Sequence, residues 1–108
     1  MASQQDHYFQ GMELFGEDDL DGAISEFRKA LGIDESYGDV LHAIALCHYH
    51  LGQLNEAVEY GERLRSVEPE NPLAYTALSM FYNAKGMIAK AEEMGAKAGA
   101  APPPEDSS

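Results

Sequence analysis

The sequence predicts an all-α fold, a right-handed solenoid of three antiparallel helix pairs. The main observation is a period of 34 residues, because the chain written in three rows places similar residues in the same columns. The clearest columns are Ala23, Ala57 and Ala91, and the small residues Gly11, Ala45 and Ser79. A period of this length is typical of a helix–turn–helix unit that stacks on its neighbours. The composition agrees, because Ala, Leu, Met, Glu and Lys are common and β-branched residues are few.

The first repeat is expected to contain two helices. Ser3 is a suitable N-cap for a helix that continues to about Phe15 or Gly16, because its hydroxyl can accept a free backbone N–H. The partner helix runs from about Leu20 to Leu31. Acidic residues crowd the turn between the two helices, where they complement the positive end of the helix dipole. Their spacing does not match a calcium-binding loop.

The second repeat shows the same pattern. Ser36 and Asp39 resemble a capping box at the start of its first helix, which continues to about Leu51. Gly52 is expected to end that helix in a left-handed conformation, which glycine adopts without steric cost. Residues 54–67 follow as the second helix.

In the third repeat, proline and glycine mark the helix ends. Asn71 is a good N-cap and Pro72 a good first helical residue, since the N–H that proline lacks would have no partner there. Gly86 ends this helix, and residues 88–98 form the last one. Residues 102–108 are expected to form an extended, disordered, proline-rich acidic tail.

Three sets of residues in register resemble the sequence pattern of the tetratricopeptide repeat family. That pattern places an aromatic residue, Leu-Gly, Tyr, Ala, Phe and Pro at fixed offsets. The matching positions are His7, Gln10, Gly11, Leu14, Ala23, Phe27 and Glu35 in the first repeat, Leu41, Ile44, Ala45, His48, Ala57, Gly61 and Pro69 in the second, and Tyr75, Leu78, Ser79, Tyr82, Ala91, Gly95 and Pro103 in the third. The resemblance implies one domain, residues 1–101, with repeats at about 4–37, 38–71 and 72–101.

The charge of the chain argues against some classes of partner. Asp and Glu number 19 against seven Lys and Arg, which gives a net charge of −12. Nucleic acids and anionic membranes bind clusters of basic residues, so neither is an expected partner. The N-terminal residues do not form a secretory signal, and no apolar run reaches the length of a membrane span. Because the single cysteine cannot form an internal disulfide, we predict a cytoplasmic protein.

The sequence contains no convincing catalytic or metal-binding motif, and no cofactor is expected. There is neither a glycine-rich phosphate loop nor a nucleophile elbow. Four residues of types that bind zinc or copper lie within nine positions: His42, Cys47, His48 and His50. Cys47 and His48 fall in core columns of the helix, so we expect them to be buried. His42 and His50 lie on one side, about two turns apart, and are candidates for a pH-sensitive contact.

The candidate binding site is a stripe on the first helix of each repeat. The resemblance implies that these helices line a concave groove that binds peptides or helices. The site comprises Tyr8, Met12 and Phe15, then His42, Leu46, Tyr49 and His50, then Thr76, Met80 and Asn83. The apolar positions have i, i+4, i+7 spacing, which places them on one helix face. Because the other face of each helix already supplies core residues, this second apolar face needs a partner.

We therefore expect a protein-interaction scaffold, not an enzyme, that binds an apolar or amphipathic peptide segment. The aromatic and large apolar residues should carry most of the affinity, while the histidines, Thr76 and Asn83 set orientation through hydrogen bonds. Many members of the family grip a C-terminal carboxylate with basic residues, which this stripe lacks. The alternative is a structural module that self-assembles through the uncapped ends of the solenoid. We expect a monomer or a weak dimer in solution.

Overall fold

The computed structural model describes residues 2–99, which form six α-helices and no β-strand. The helices are α1 (Gln4–Gly16), α2 (Leu20–Ile33), α3 (Gly38–His50), α4 (Leu54–Val67), α5 (Pro72–Ala84) and α6 (Ile88–Gly99). They pack as three consecutive pairs, and each pair contacts the next, so the predicted all-α solenoid is confirmed. None of these six helices is both long and apolar enough to cross a bilayer. The predicted tail, residues 102–108, lies outside the described residues.

Two predicted N-caps are confirmed. The Ser3 hydroxyl accepts a hydrogen bond from the Asp6 backbone N–H at 3.2 Å, and the Ser3 N–H donates to the Asp6 carboxylate at 2.9 Å. Asn71 accepts from the Leu73 backbone N–H at 2.9 Å, and Pro72 is the first residue of α5. These bonds satisfy backbone donors that have no partner within the helix. The other helix ends agree with the sequence prediction to within two residues.

The predicted capping box at the start of α3 is wrong. The N-cap of α3 is Tyr37, and no side chain caps the helix. The backbone N–H of Ser36 donates to Oδ1 of Asp34 at 3.0 Å, so Asp34 holds this segment in a turn. Asp39 therefore does not bond to Ser36 and lies in the first turn of α3.

A residue with left-handed backbone conformation follows the first helix of every repeat. Gly52 has φ of 76° and Gly86 has φ of 81°, as predicted for glycines that end a helix. The same position in the first repeat holds Asp18, with φ of 65°. An aspartate adopts this conformation more easily than most residues but at a higher energy than glycine.

Two close contacts between helices each pair a glycine with a large side chain. Gly11 on α1 leaves room for the ring of Phe27 on α2, which is fully buried. The position of Phe27 is taken in the second repeat by Gly61, where a Cβ atom would lie 2.7 Å from Cδ2 of Leu78. Leu78 comes from α5, so the next repeat fills this part of the core. These contacts set how closely α1 packs on α2 and how closely α4 packs on α5.

Candidate functional site

Five of the predicted site residues surround one hollow between the first and second repeats. This cavity has a volume of about 230 Å³ and lies between α1 and α3. We name it the α1–α3 hollow. Its lining is Tyr8, Met12, Phe15, Asp39, His42, Ala43 and Leu46. The structure therefore brings the first triplet of the predicted stripe together with most of the second.

The aromatic wall of the α1–α3 hollow is held in place by neighbouring rings. The Tyr8 ring lies 5.5 Å from the ring of Tyr37 and 6.2 Å from that of Phe27. Burial raises the pKa of Tyr8, and the nearby negative charge of Asp39 raises it further. The Tyr8 hydroxyl is thus a neutral donor at physiological pH, on a ring whose position is fixed by packing.

His42 contributes a polar group to the largely apolar wall. Its side chain is half-buried, and this burial lowers the pKa of His42. The charge of Asp39 acts in the opposite direction but is the smaller effect. The imidazole is therefore neutral near pH 7 and can donate one hydrogen bond and accept another.

Tyr49 and His50 lie at the boundary between repeats and are not part of the lining of the α1–α3 hollow. The His50 ring lies 6.0 Å from that of Phe15 and 5.6 Å from that of Tyr49. The Tyr49 ring in turn lies 5.3 Å from that of Phe81, a fully buried residue of α5. These two residues form an aromatic link along the three first helices.

The third triplet of the stripe lines a different cavity. This wider opening of about 510 Å³, named here the α5–α6 hollow, lies between the two helices of the last repeat. Its lining is Thr76, Ser79, Met80, Asn83, Ile88, Ala91, Glu92, Gly95 and Ala98. In the first two repeats, the next repeat packs against the corresponding surface. The predicted stripe is thus divided between two separate hollows.

An acidic recess adjoins the α1–α3 hollow and was missed by the sequence prediction. It has a volume of about 310 Å³ and is lined by Gln4, Gln5, Asp34, Tyr37 and Asp39. Asp39 borders both cavities, so the two adjoin at this residue. The signal in the sequence was Asp39 itself, three residues before His42 and therefore on the same helix face.

Basic residues are absent from the first helix of every repeat. Helices α1, α3 and α5 contain no Lys or Arg, and their acidic residues are Asp6, Glu13 and Asp39. All seven basic residues of the chain lie elsewhere: Arg28, Lys29, Arg63, Arg65, Lys85, Lys90 and Lys97. The surface that contains the α1–α3 hollow is therefore acidic.

The cluster of potential metal ligands is divided between core and surface. Cys47 is fully buried, and burial raises the pKa of its thiol to about 11. His48 is also buried, its Nδ1 lies 2.7 Å from Oε1 of Gln53, and its ring stacks on that of Tyr60 at 5.5 Å. The prediction that Cys47 and His48 are core residues is confirmed. Within residues 2–99, no three His, Cys, Asp or Glu side chains are placed to share a metal ion.

Comparison with protein families identifies one match. Residues 14–79 match a family model described as tetratricopeptide repeat. A search of curated proteins finds no significant relative.

Several solved structures share the fold. The crystal structure of MamA is 26% identical and has a TM-score of 0.86 over 89% of this chain and 56% of that one. The crystal structure of YrrB, described as a TPR protein with an unusual peptide-binding site, is 22% identical with a TM-score of 0.84 over 91% and 50%. The second TPR of Spaghetti (RPAP3), bound to the HSP90 peptide SRMEEVD, is 12% identical with a TM-score of 0.88 over 93% of each chain. The present chain thus spans about half the length of the MamA and YrrB structures.

Proposed function

The chain belongs to the tetratricopeptide repeat family, because a model of that family matches more than half of its residues, and we propose that it binds a peptide segment of another protein in the α1–α3 hollow. The bound segment is apolar or amphipathic, and the protein acts as a cytoplasmic interaction scaffold without catalytic activity. The family consists largely of interaction modules, which supports the broad class of function.

The observation that carries the proposal is the lining of the α1–α3 hollow. Four of its seven residues are large and apolar or aromatic, and Met12 is 40% exposed. A concave surface lined by apolar side chains that packing keeps in position is the usual pocket for an anchor residue of a bound peptide. Methionine adapts its shape to different ligands, so Met12 suits a flexible contact at the rim.

The known complexes suggest which ligand class does not fit. The second TPR of Spaghetti (RPAP3) is bound to a peptide that ends in Glu-Glu-Val-Asp. In the present chain the first helices carry acids and no Lys or Arg, which disfavours an acidic peptide end. An apolar anchor in the α1–α3 hollow is therefore the better match. Because the α1–α3 hollow is small, about 230 Å³, we expect a micromolar Kd, about −8 kcal/mol.

The proposal that the protein has no catalytic activity rests on the burial and protonation of its single cysteine. Cys47 is fully buried and its thiol pKa of about 11 keeps it protonated near neutral pH. The thiolate is the nucleophilic form of cysteine, so Cys47 is not suited to attack a substrate.

The test uses a pair of methionines at equivalent repeat positions. Met12 borders the α1–α3 hollow and is 40% exposed, whereas Met80 borders the α5–α6 hollow and is 39% exposed. A library of random displayed peptides is selected against the wild-type protein, and the enriched peptides are then measured on Met12→Gln and Met80→Gln. Glutamine keeps the length and helix propensity of methionine but removes its apolar surface.

Because the proposed site is the α1–α3 hollow alone, it leaves out Met80, although the predicted stripe included this residue. Met12→Gln should therefore weaken binding about tenfold, while Met80→Gln leaves the Kd unchanged. Circular dichroism and thermal unfolding show whether both variants remain folded. Equal affinity of wild type and Met12→Gln for every enriched peptide would place the site elsewhere.

Self-association is a second candidate function, favoured by the exposed apolar residues near the α5–α6 hollow. Ile88 is 51% exposed and Met87 is 42% exposed, at a surface on which no helix of residues 2–99 stacks. Light scattering over a series of concentrations tests this reading. A ladder of higher species that disappears in Ile88→Lys would support assembly, whereas a constant monomer mass favours the peptide-binding scaffold.

A further inference from the structure

We infer that the segment bound in the α1–α3 hollow carries a lysine or arginine beside its apolar anchor, and that this basic side chain enters the acidic recess. The inference rests on the proposed function, because it concerns the chemistry of the same ligand. It adds a charge requirement that an apolar groove alone does not impose.

The α1–α3 hollow and the acidic recess adjoin at Asp39. Asp39 lines both the α1–α3 hollow and the acidic recess, so a ligand that fills the first reaches the second without leaving the surface. Along α1, the recess lies at Gln4 and Gln5 and the hollow at Tyr8 to Phe15. At the rise of an α-helix their centres are about 10 Å apart, which an extended segment covers in about three residues.

Neither carboxylate of the recess has a basic partner among residues 2–99. The ion pairs within residues 2–99 involve Glu26, Glu62 and Glu93, and none involves Asp34 or Asp39. Oδ1 of Asp34 accepts the Ser36 N–H, and Oδ2 takes part in no hydrogen bond or ion pair within residues 2–99. A cation in the recess therefore gains two carboxylates without displacing an existing ion pair.

Two tyrosine rings lie beside these carboxylates in the lining of the two cavities. The rings of Tyr8 and Tyr37 lie 5.5 Å apart, one in each cavity. Burial raises the pKa of both tyrosines, and the negative charge of Asp39 raises it further. Aromatic faces next to a carboxylate suit a guanidinium or ammonium group, since both attract a cation.

The charge of the rest of the molecule selects the class of ligand. The net charge of −12 repels nucleic acids and anionic lipid surfaces, and it attracts a basic protein segment. The four glutamine and tyrosine side chains around the two carboxylates offer further polar contacts, but only the carboxylates distinguish a basic residue from a neutral one.

The experiment compares the composition of selected peptides between variants. A library of random displayed peptides is selected against wild type, Asp34→Asn/Asp39→Asn and the control Glu92→Gln. Asparagine keeps the acceptor that bonds the Ser36 N–H, so the turn before α3 is retained. Glu92 borders the α5–α6 hollow, and its substitution removes a negative charge away from the recess. The strongest wild-type peptide is then synthesised with its basic residue and with glutamine in its place.

The inference predicts that wild type and Glu92→Gln enrich peptides with Lys or Arg about three residues from an apolar anchor. The double asparagine variant should enrich the anchor without the basic residue. The Lys- or Arg-containing peptide should bind wild type at least about fivefold more tightly than its glutamine form, and this preference should shrink as salt is raised.

The outcomes separate this inference from the proposed function. Apolar peptides that are enriched without basic residues, and that are lost in Met12→Gln, would overturn the charge requirement and leave the proposed function intact. Peptides that are unaffected by Met12→Gln would overturn the proposed function. Enrichment of acidic peptides by wild type would contradict the inference directly.

Discussion

The α1–α3 hollow and the α5–α6 hollow are built from equivalent repeat positions, yet they present different surfaces. Tyr8, Met12 and Phe15 line the first, and the residues at the same positions of the third repeat line the second: Thr76, Met80 and Asn83. The first has a volume of about 230 Å³ with α3 as its far wall. The second has a volume of about 510 Å³, and no helix within residues 2–99 stacks on it.

The position within a repeat sets the helix face on which a side chain lies, whereas the neighbouring repeat sets what surrounds that side chain. Met12 and Met80 have nearly equal exposure, 40% and 39%. Met12 nevertheless lines its hollow together with the aromatic rings of Tyr8 and Phe15, whereas Met80 lines its hollow with no aromatic side chain. Equivalent residues in a solenoid therefore cannot be assigned the same role from their column alone.

The largest expected change in stability follows from substitution of one of two glycines that lie 34 residues apart. A Cβ atom at Gly61 would lie 2.7 Å from Leu78 at the contact with the next repeat, whereas one at Gly95 would lie 3.3 Å from the Ser79 hydroxyl beside the open hollow. Gly61→Ala should destabilise the protein by about 2 kcal/mol through overpacking. Gly95→Ala should change stability by less than about 1 kcal/mol, because alanine's helix propensity offsets a small shift of Ser79.

Urea unfolding followed by circular dichroism measures both variants. Equal destabilisation would show that the end of the solenoid is packed as tightly as its interior.

A smaller effect is expected at the turns that follow α1 and α5. Asp18 has φ of 65° and Gly86, at the equivalent position, has φ of 81°. Glycine removes the energetic cost of the left-handed conformation, but it also increases the entropy of the unfolded chain. The first effect is the larger, so Asp18→Gly should raise the free energy of unfolding by about 0.5 kcal/mol. Gly86→Asp should lower it by about 1 kcal/mol.

Thermal unfolding of the two variants and of the wild type checks these signs. A destabilised Asp18→Gly would mean that the aspartate side chain stabilises the turn more than its backbone conformation costs.

The smallest expected effect concerns pH and the His42 side chain, whose equivalent near the α5–α6 hollow is Thr76. Burial lowers the pKa of His42, so the folded state binds this proton less readily than the unfolded state. No stability is lost above the unfolded pKa of about 6.5, and stability falls as the pH drops below it. His42→Gln should therefore lose less stability than wild type between about pH 7 and about pH 5.

The exposed His50 provides the control, as His50→Gln removes an imidazole outside the lining of either hollow. The measurement is the midpoint of urea unfolding at each pH. Parallel pH profiles for wild type and His42→Gln would show that burial of this imidazole does not affect stability.

The helices and their order were predictable from sequence because their signals are local. Ser3, Asn71, Pro72, Gly52 and Gly86 each act within a few residues of the helix end that they mark. The capping box at Ser36 failed because Asp34 competes for the same backbone N–H, and the sequence pattern does not rank the two acceptors.

The candidate site was predictable only in part, because it depends on contacts between distant segments. The i, i+4, i+7 spacing predicted that Tyr8, Met12 and Phe15 lie on one helix face. It did not predict that the stripe is divided between two hollows. The acidic recess is lined by Gln4 and Gln5 and by Asp34, which follows about 30 residues later. No local sequence pattern predicts that these two segments lie side by side.

Binding in the α1–α3 hollow can be located by NMR. The isotope-labelled protein is titrated with the synthetic form of the strongest peptide from the wild-type selection. The account predicts chemical-shift changes at the backbone amides of Tyr8, Met12, Asp39 and Leu46, with no change around the α5–α6 hollow. Changes centred on Met80, Ile88 and Ala91, with the amides of α1 and the start of α3 unmoved, would contradict it.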